Sequence, residues 1–194
     1  MSHTENLRNS LLTIYPKADL LSLEAYIQCF VPFTFQRRET ITNAGDTEQY
    51  LYVVMEGYQR SVVMHDNKEL TVAFSYPGSF TGIPESFFTQ KPSEAALECI
   101  TDSVLWGISY QDHQRMMLVH PDIERISRIA TEKVLAGLVD RYYEQQLLSM
   151  EERFHKFMQR SHALLLHIPH KYIASYLRID PTNFSKLLKE STKA

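Results

Sequence analysis

Hydrophobic residues change their spacing along the chain, and each change predicts a different class of structure. Residues 4–28 carry apolar side chains at roughly helical spacing that is broken at Pro16, which predicts two short helices. From Phe30 to Ile108 the pattern becomes short β-rich runs separated by turn residues. Many short strands at even spacing indicate an antiparallel barrel, sandwich or roll.

Residues 112–148 return to a helical period and predict one long helix. Its apolar stripe consists of Ile123, Ile126, Ala130, Val134 and Leu138. Such a length is typical of a helix that packs against a copy of itself, so this stripe is the candidate dimerisation surface. The pattern fits equally a helix that packs on its own β-rich domain, and the spacing leaves both interpretations open.

The last apolar pattern, in residues 168–190, predicts two short helices joined by a tight turn at 178–180. Asp180 can accept a hydrogen bond from a free amide of the second helix, and Pro181 suits the first helical position. The second helix is therefore expected to begin near residue 181. Further upstream, Ser149 and Glu152 have the spacing of a helix-capping box, which predicts the start of a separate C-terminal domain.

Small hydrogen-bonding groups and cations remain on the outer face once the apolar stripe of the second helix is buried. These residues are Thr182, Asn183, Ser185, Lys186 and Lys189. Such a mixture suits the major groove of DNA, so the pair is interpreted as a helix-turn-helix with a recognition helix. The alternative is a helical hairpin without a DNA-binding role.

Charge is distributed unevenly along the chain. Residues 151–194 carry 8 Lys and Arg against 4 Asp and Glu, whereas residues 1–150 carry 12 against 19. A basic tail on an acidic body is expected if only the tail meets a polyanion, although a solvated face gives the same pattern.

Length and composition exclude several classes of protein. A chain of 194 residues with 44% hydrophobic content can form one large or two small domains. No apolar run approaches the roughly 20 residues that span a bilayer and no signal-peptide pattern is present, so a cytoplasmic protein without a membrane partner is expected. Cys29 and Cys99 occur singly and are predicted to be core residues. His167 and His170 flank Ile168-Pro169, a spacing that does not indicate a metal site. The sequence contains no recognised catalytic motif, so an enzyme is not expected.

The chain resembles the Crp/Fnr family of cyclic-AMP-receptor-like transcription regulators at several motifs in the correct order. Residues 44–46, 50–57 and 77–82 resemble the cyclic-nucleotide-binding β-roll, and residues 171–189 resemble the C-terminal helix-turn-helix. The family usually has Gly where this chain has Arg178, a position expected to need positive φ. The resemblance implies an α+β fold with an antiparallel, jelly-roll-like β-roll, a long dimerisation helix and a helix-turn-helix. The implied domains are 1–111, 112–148 and 149–194.

The effector pocket implied by the resemblance departs from the pattern of relatives that bind cyclic AMP. Ile83 follows Gly82 where those relatives have a Glu for the ribose, and Ser93-Glu94 replaces their Arg-Ser or Arg-Thr pair. Glu94 would repel a bound phosphate, so ordinary cyclic AMP binding is not expected and no cofactor is predicted. The positions for an altered pocket are Phe80, Gly82, Ile83, Glu85, Lys91, Ser93 and Glu94. An apolar set formed by Phe80, Phe87, Phe88 and Leu97 fits either a cavity or core packing.

The resemblance thus implies a homodimeric transcription regulator that reads a palindromic operator in double-stranded DNA. Lys186 is the candidate for base contact, with Thr182 and Ser185 beside it, and the candidates for phosphate contact are Asn183, Lys171 and Lys189. RNA polymerase and an unknown small-molecule effector are further partners that the resemblance allows. The chain stops at Ala194, where the family commonly continues into a β-hairpin wing. The competing hypothesis is therefore a dimeric sensor or interaction protein that keeps the roll and has lost DNA binding.

Overall fold

A computed structural model describes residues 3–191. The chain starts with helices α1 (His3–Ile14) and α2 (Leu20–Ile27), which confirms the predicted pair around Pro16. The strands that follow are β1 (Val31–Phe35), β2 (Thr40–Thr42), β3 (Tyr50–Glu56), β4 (Gln59–His65), β5 (Lys68–Ser75), β6 (Phe80–Thr81), β7 (Ala95–Cys99) and β8 (Ser103–Ser109). The sequence pattern did not predict β6, which is only two residues long, or β7.

The strands form two antiparallel four-stranded sheets, with orders β1-β8-β3-β6 and β2-β7-β4-β5. Inward-facing residues of the two sheets, such as Val54, Leu97 and Leu105, are almost fully buried. Alternating buried and accessible positions in β7 follow from the period of two of a strand with one face on the core. The predicted antiparallel β-roll is confirmed.

The helix predicted over 112–148 is two helices, α4 (Tyr110–Val119) and α5 (Pro121–Leu147). His120 between them has extended backbone angles, and Pro121 occupies the first turn of α5. A proline inside a helix removes a hydrogen bond and clashes with the preceding turn, whereas at the first position it fits. The prediction of one continuous helix was therefore wrong.

The two ends of α5 lie in different environments. Ile123 and Ile126 are 1% and 3% exposed and pack in the chain's own core with α1 and α2. These two residues cannot also cover a second copy, so the dimerisation surface predicted from the whole stripe is wrong at this end. Ala130 is half-buried, and Val134 and Leu138 are exposed.

The C-terminal part consists of α6 (Met150–Ser161), a 3-10 helix (His162–Leu166), α7 (His170–Leu177) and α8 (Pro181–Ser191). The predicted capping box is present, because the Ser149 side chain accepts from the Glu152 amide and the Glu152 side chain accepts from the Ser149 amide. A second hydrophobic cluster holds these helices together and joins them to the roll, because its buried members include Ile100 as well as Phe154, Phe157, Ile173, Ala174, Leu177 and Phe184. The expectation that no full wing follows concerns residues after Ser191, which lie outside the described part of the chain.

Candidate functional site

Helix α8 begins where the sequence predicts. Asp180 Oδ1 accepts a hydrogen bond of 2.8 Å from the Thr182 amide, and this bond holds the pKa of the Asp180 carboxyl below its ordinary value. Pro181 is the first helical residue. The start of the helix is therefore fixed by local signals in the sequence.

The outward face of α8 carries most of the predicted DNA-contacting residues. Thr182, Ser185, Lys186 and Lys189 are exposed, and Asn183 is half-buried. Ser185 Oγ donates a 2.9 Å hydrogen bond to the Pro181 carbonyl, so the lone pairs of its oxygen are what it can offer to a ligand. Lys171 is exposed on the first turn of α7, with its Nζ 4.9 Å from the centre of the Tyr172 ring.

The turn between α7 and α8 is held by a residue that the sequence analysis missed. Arg178 has the positive φ, 54°, expected at that position. The guanidinium of Arg153 donates to the carbonyls of Leu177 (3.0 Å), Arg178 (3.4 Å) and Leu148 (2.7 Å). One side chain thus joins the turn to the connection between α5 and α6. No local pattern could have indicated this, because the contacts depend on the tertiary fold.

The segment at Gly82 and Ile83, which the resemblance assigns to an effector, is occupied by a side chain of the protein. Glu48 is 1% exposed, and its Oε2 accepts from the Thr42 hydroxyl at 2.8 Å and the Ile83 amide at 3.2 Å. Burial raises the pKa of Glu48, while these hydrogen bonds oppose that rise. Gly82 has a φ of 139°, and a Cβ there would lie 3.3 Å from the Tyr50 carbonyl. Any incoming anion would have to displace a carboxylate from the Ile83 amide.

The backbone of Glu48 is tied to the same segment. Its amide donates to Ser86 Oγ at 2.9 Å, and Ser86 Oγ in turn donates to the Lys91 carbonyl. Gln90 Nε2 donates to the Glu48 carbonyl at 3.2 Å. Helix α3 (Pro84–Thr89) is therefore held against the β-roll by hydrogen bonds within the chain.

The remaining predicted effector residues are scattered. Ile83 is buried and apolar, and Ser93 uses its hydroxyl on the Ala95 backbone. Glu85, Lys91 and Glu94 are exposed. We name the segment from Gly82 to Glu94 together with Glu48 the closed cassette.

The apolar set considered as a cavity lining packs in different places. Phe87 and Leu97 are fully buried, and Leu97 packs in a cluster with Ile83. Phe80 packs against the core around α1 and α2, whereas Phe88 is 41% exposed. These four residues do not line one cavity. Core packing is the correct interpretation for Phe80, Phe87 and Leu97, and Phe88 fits neither interpretation.

A buried histidine lies behind the closed cassette. His113 is 1% exposed, and its Nδ1 is hydrogen-bonded to the Tyr26 hydroxyl at 2.8 Å. Its Nε2 lies 3.3 Å from Ser127 Oγ, and its ring centre is 5.8 Å from that of Phe87. Burial lowers the pKa of His113 to about 4, so the ring is neutral at physiological pH.

The C-terminal half of α5 presents apolar side chains to solvent. Its exposed members are Val134, Leu135, Leu138, Val139, Tyr142, Tyr143 and Leu147. We name this set the α5 strip. Such a strip on a helix of 27 residues is far larger than the scattered apolar residues of an ordinary surface.

Neither a candidate metal site nor a candidate membrane-spanning helix is found in residues 3–191. No group of three or more His, Cys, Asp or Glu side chains in that range could hold a metal ion. No helix in the same range is long and apolar enough to cross a membrane. The four histidines of the tail, His155, His162, His167 and His170, are exposed.

Comparison with known proteins identifies the fold. Residues 32–120 match the family model of the cyclic nucleotide-binding domain, and no curated protein matches the sequence significantly. The structure of FixK2 from Bradyrhizobium japonicum is similar at 19% identity and a TM-score of 0.76, over 84% of this chain and 85% of that one. A CooA variant from Carboxydothermus hydrogenoformans gives 14% identity and a TM-score of 0.70, over 86% of this chain and 78% of that one.

Catabolite Activator Protein from Thermus thermophilus is also similar, at 19% identity and a TM-score of 0.59 over 93% of this chain and 86% of that one. These neighbours are Crp/Fnr-type regulators. The chain therefore has the mixed helix and antiparallel-sheet fold of a cyclic-nucleotide-binding β-roll followed by C-terminal helices.

Proposed function

We propose that this chain is a homodimeric, DNA-binding transcription regulator of Crp/Fnr type that reads a palindromic operator. The observation that carries the proposal is the outward face of α8, where Thr182, Ser185 and Lys186 are exposed on a helix whose other face is buried. A recognition helix needs this combination of a packed side and a polar, cationic side that can enter the major groove.

The proposed roles follow the placement of each side chain. Lys186 lies in the middle of α8 and is assigned to a base edge, with Thr182 and Ser185 beside it. Asn183, Lys171 and Lys189 are assigned to phosphates, which position the helix without reading sequence. Overall negative charge elsewhere on the chain favours docking of DNA at the basic tail alone.

A second copy of the chain is the proposed partner of the α5 strip. Leu135, Leu138 and Tyr142 recur at the three- and four-residue intervals of a helical seam, and Val134 and Val139 lie beside them. Packing two such helices on a two-fold axis would place two α8 helices at corresponding positions. Dimeric helix-turn-helix proteins separate their recognition helices by about 34 Å, one turn of DNA, so a palindrome is expected.

Ordinary cyclic AMP is not the proposed effector. The Ile83 amide already binds the Glu48 carboxylate, and Glu94 adds further negative charge at the position aligned with the relatives' phosphate-binding residues. The regulator would act in the cytoplasm and without catalysis, either constitutively or through a different effector, and RNA polymerase is the further partner that this role implies.

The direct test is selection of operator sequences from a random duplex library by the wild-type protein and by Lys186→Ala. Lys17→Ala is a matched control, because Lys17 is exposed in the turn between α1 and α2 and carries the same charge. We expect the wild type and Lys17→Ala to enrich one palindrome, and Lys186→Ala to lose or relax preference at one base pair per half-site. Loss of a good base contact should cost about 1–3 kcal/mol of discrimination.

Equal behaviour of the three proteins, with no enriched sequence at low salt, would refute the proposal and favour the sensor hypothesis. The salt dependence of binding gives an independent readout. Each phosphate contact contributes a slope of about −0.9 in log K against log salt, so Lys171→Ala should flatten the slope by roughly one contact.

The dimer is tested by Leu138→Glu, which places a charge in the α5 strip. We expect monomers by sedimentation velocity and a large loss of operator affinity, because each half-site then has to bind separately. Lys133→Glu is the control, since Lys133 is exposed on the same helix but is not apolar. A Leu138→Glu protein that remains dimeric would remove the α5 strip from the proposal.

A further inference from the structure

Helix α7 lies along β5, the edge strand of one sheet of the roll. The Thr71 amide on that strand donates a 3.0 Å hydrogen bond to Ser175 Oγ, and Ser175 Oγ lies 3.4 Å from the Glu69 carbonyl. The rings of Phe74 and Tyr176 are 5.3 Å apart. The helix-turn-helix is therefore attached to the roll mainly by its first helix.

The centre of this contact is a buried cation. Arg60 on β4 is 2% exposed, and its Nε donates to Glu98 at 2.5 Å. Its other nitrogens donate to Thr71 Oγ1 at 3.2 Å and to the Glu69 carboxylate. The remaining face of the guanidinium is covered by Tyr172 of α7, whose ring centre lies 3.8 Å from Cζ. Burial opposes the charge of Arg60, but the two carboxylates outweigh it and hold its pKa above the ordinary value.

Tyr172 is the one aromatic side chain that the structure places over this guanidinium in the described residues. A planar guanidinium stacked on an aromatic face is a directional contact, because the attraction depends on the orientation of the ring. A purely apolar contact of the same area would permit α7 to slide or rotate on the strand.

We propose that Tyr172, by stacking on Arg60, is a positioning residue for DNA recognition that sets the orientation of α8 relative to the roll. This inference rests on the proposed function. Ile179 in the turn between α7 and α8 is buried, so the two helices move as one unit. The orientation of α7 on the roll therefore fixes the separation and angle of the two recognition helices in a dimer. That geometry selects the spacing between operator half-sites.

The test compares Tyr172→Leu with Tyr172→Phe. Leucine keeps an apolar side chain in the contact but has no aromatic face, whereas phenylalanine keeps the face and lacks only the hydroxyl. Two measurements are made on each protein. One is hydrogen exchange of the Thr71 amide without DNA, and the other is affinity for a series of operators whose half-sites are separated by spacers of increasing length.

Tyr172→Leu removes the aromatic ring that stacks on the buried Arg60 guanidinium. Hydrogen exchange of the Thr71 amide should then be about 30-fold faster, since this contact contributes about 2 kcal/mol. The same variant should bind operators of several spacings with similar affinity, while single half-site binding changes little. Tyr172→Phe should match the wild type in both measurements. Recovery by phenylalanine separates the aromatic face from general packing.

Two results would overturn the inference. One is wild-type protection of Thr71 in Tyr172→Leu, and the other is faster exchange combined with an unchanged spacing preference, because the contact would then be structural only. If Tyr172→Leu does not fold, Ser175→Ala removes the side-chain hydrogen bond between α7 and the Thr71 amide of β5 and is judged by the same two criteria. A wild-type protein that selects no operator would refute the proposed function and the positioning role with it, whatever Thr71 exchange shows.

Discussion

The closed cassette and helix α8 are both short segments that begin at a turn marked by glycine or proline, yet several of their polar groups meet opposite environments. In the closed cassette, Glu48 and Ser93 are buried and bonded to the chain's own backbone. On α8, Thr182 and Lys186 are exposed. Helix α8 is thus left with polar groups that face outward, whereas the cassette combines buried, hydrogen-bonded groups at Glu48 and Ser93 with exposed ones at Glu85, Lys91 and Glu94.

The two environments differ in whether a ligand can bind without rearrangement of the protein. A buried polar group that already has a partner gains little from a ligand, because the ligand must first replace the internal hydrogen bond. An exposed group on a rigid helix offers its hydrogen bonds directly. The roll has the fold of a cyclic nucleotide-binding domain, but the Ile83 amide within it is already bonded to Glu48.

The largest effect is expected for Phe184→Ala, which removes a ring that is 1% exposed and 5.6 Å from that of Phe154. Truncation of a buried Phe costs about 3–5 kcal/mol. We expect the C-terminal helices to lose their packing and the proposed DNA binding to disappear, with a smaller effect on the roll. Urea unfolding followed by circular dichroism measures the loss. Lys186→Ala should change stability by less than about 0.5 kcal/mol, and equal stability of both variants would contradict the packing described for α8.

Acid should destabilise the roll by protonating the buried His113. The pKa of His113 is about 4 in the folded protein and 6.5 in the unfolded chain, so the unfolded chain binds a proton first as the pH falls. His113 therefore leaves the free energy of unfolding unchanged above pH 6.5 and lowers it between pH 6.5 and 4, by up to about 3 kcal/mol.

Urea unfolding across this pH range, compared with His113→Asn, measures the effect. The asparagine variant should lose most of the decrease between pH 6.5 and 4, whereas His162→Asn should retain it because His162 is exposed. A wild-type protein as stable at pH 4.5 as at pH 7 would show that the ring is not held neutral.

Glu48→Ala should open the closed cassette at a moderate cost. The Thr42 hydroxyl and the Ile83 amide lose their acceptor, and a buried donor left unpaired costs about 1–3 kcal/mol. Glu48→Gln keeps an oxygen at this place and is expected to remain close to the wild type. Equilibrium unfolding of the pair measures the difference, and equal stability of the two variants would mean that the hydrogen bonds of Glu48 contribute nothing.

Burial also predicts a distinct pH dependence for Glu48. Because the pKa of this carboxyl is raised in the folded protein, its contribution to stability decreases as the pH rises from the unfolded value of 4.5 through the folded value. The glutamine variant should lack that contribution, which is opposite in sign to the effect of His113.

The smallest effect on stability is expected for Arg178→Gly, which changes the turn before α8. Arg178 has a φ of 54°, a conformation that costs a non-glycine residue on the order of 1 kcal/mol. Glycine relieves this strain but adds freedom to the unfolded chain, so a gain below about 1 kcal/mol is expected. The carbonyl of residue 178 is retained and can still accept from Arg153. Thermal melting of the two proteins checks the sign, and a clear loss of stability would show that the Arg178 side chain has a stabilising contact of its own.

Local signals explain which parts of the fold could be predicted. Asp180 and Pro181 mark the start of α8, and Ser149 with Glu152 marks that of α6, because each signal concerns hydrogen bonds within a few residues. Pro121 is also a local signal, and it marks the start of α5. Burial of Ile123 and Ile126 could not be read from the stripe, since the same spacing suits either partner.

Contacts between distant residues explain what could not be predicted at the candidate site. Glu48 meets Ile83, and Arg60 meets Tyr172, only after the sheets and the C-terminal helices have come together. A single glutamate before a strand, or a single arginine within one, carries no periodic signal. Arg153 likewise donates to carbonyl groups, which every residue has, so its three acceptors leave no mark in the sequence.

The docking of α7 on β5 also bears on solubility. Strand β5 is at the edge of its sheet, and an uncovered edge offers unpaired amides and carbonyls on which the strand of another molecule can add. Ser175 satisfies the Thr71 amide on that edge, and Tyr172 and Tyr176 cover residues beside it. The helix-turn-helix therefore protects the roll from edge-to-edge aggregation, and a roll produced without it would expose a ready template for self-association.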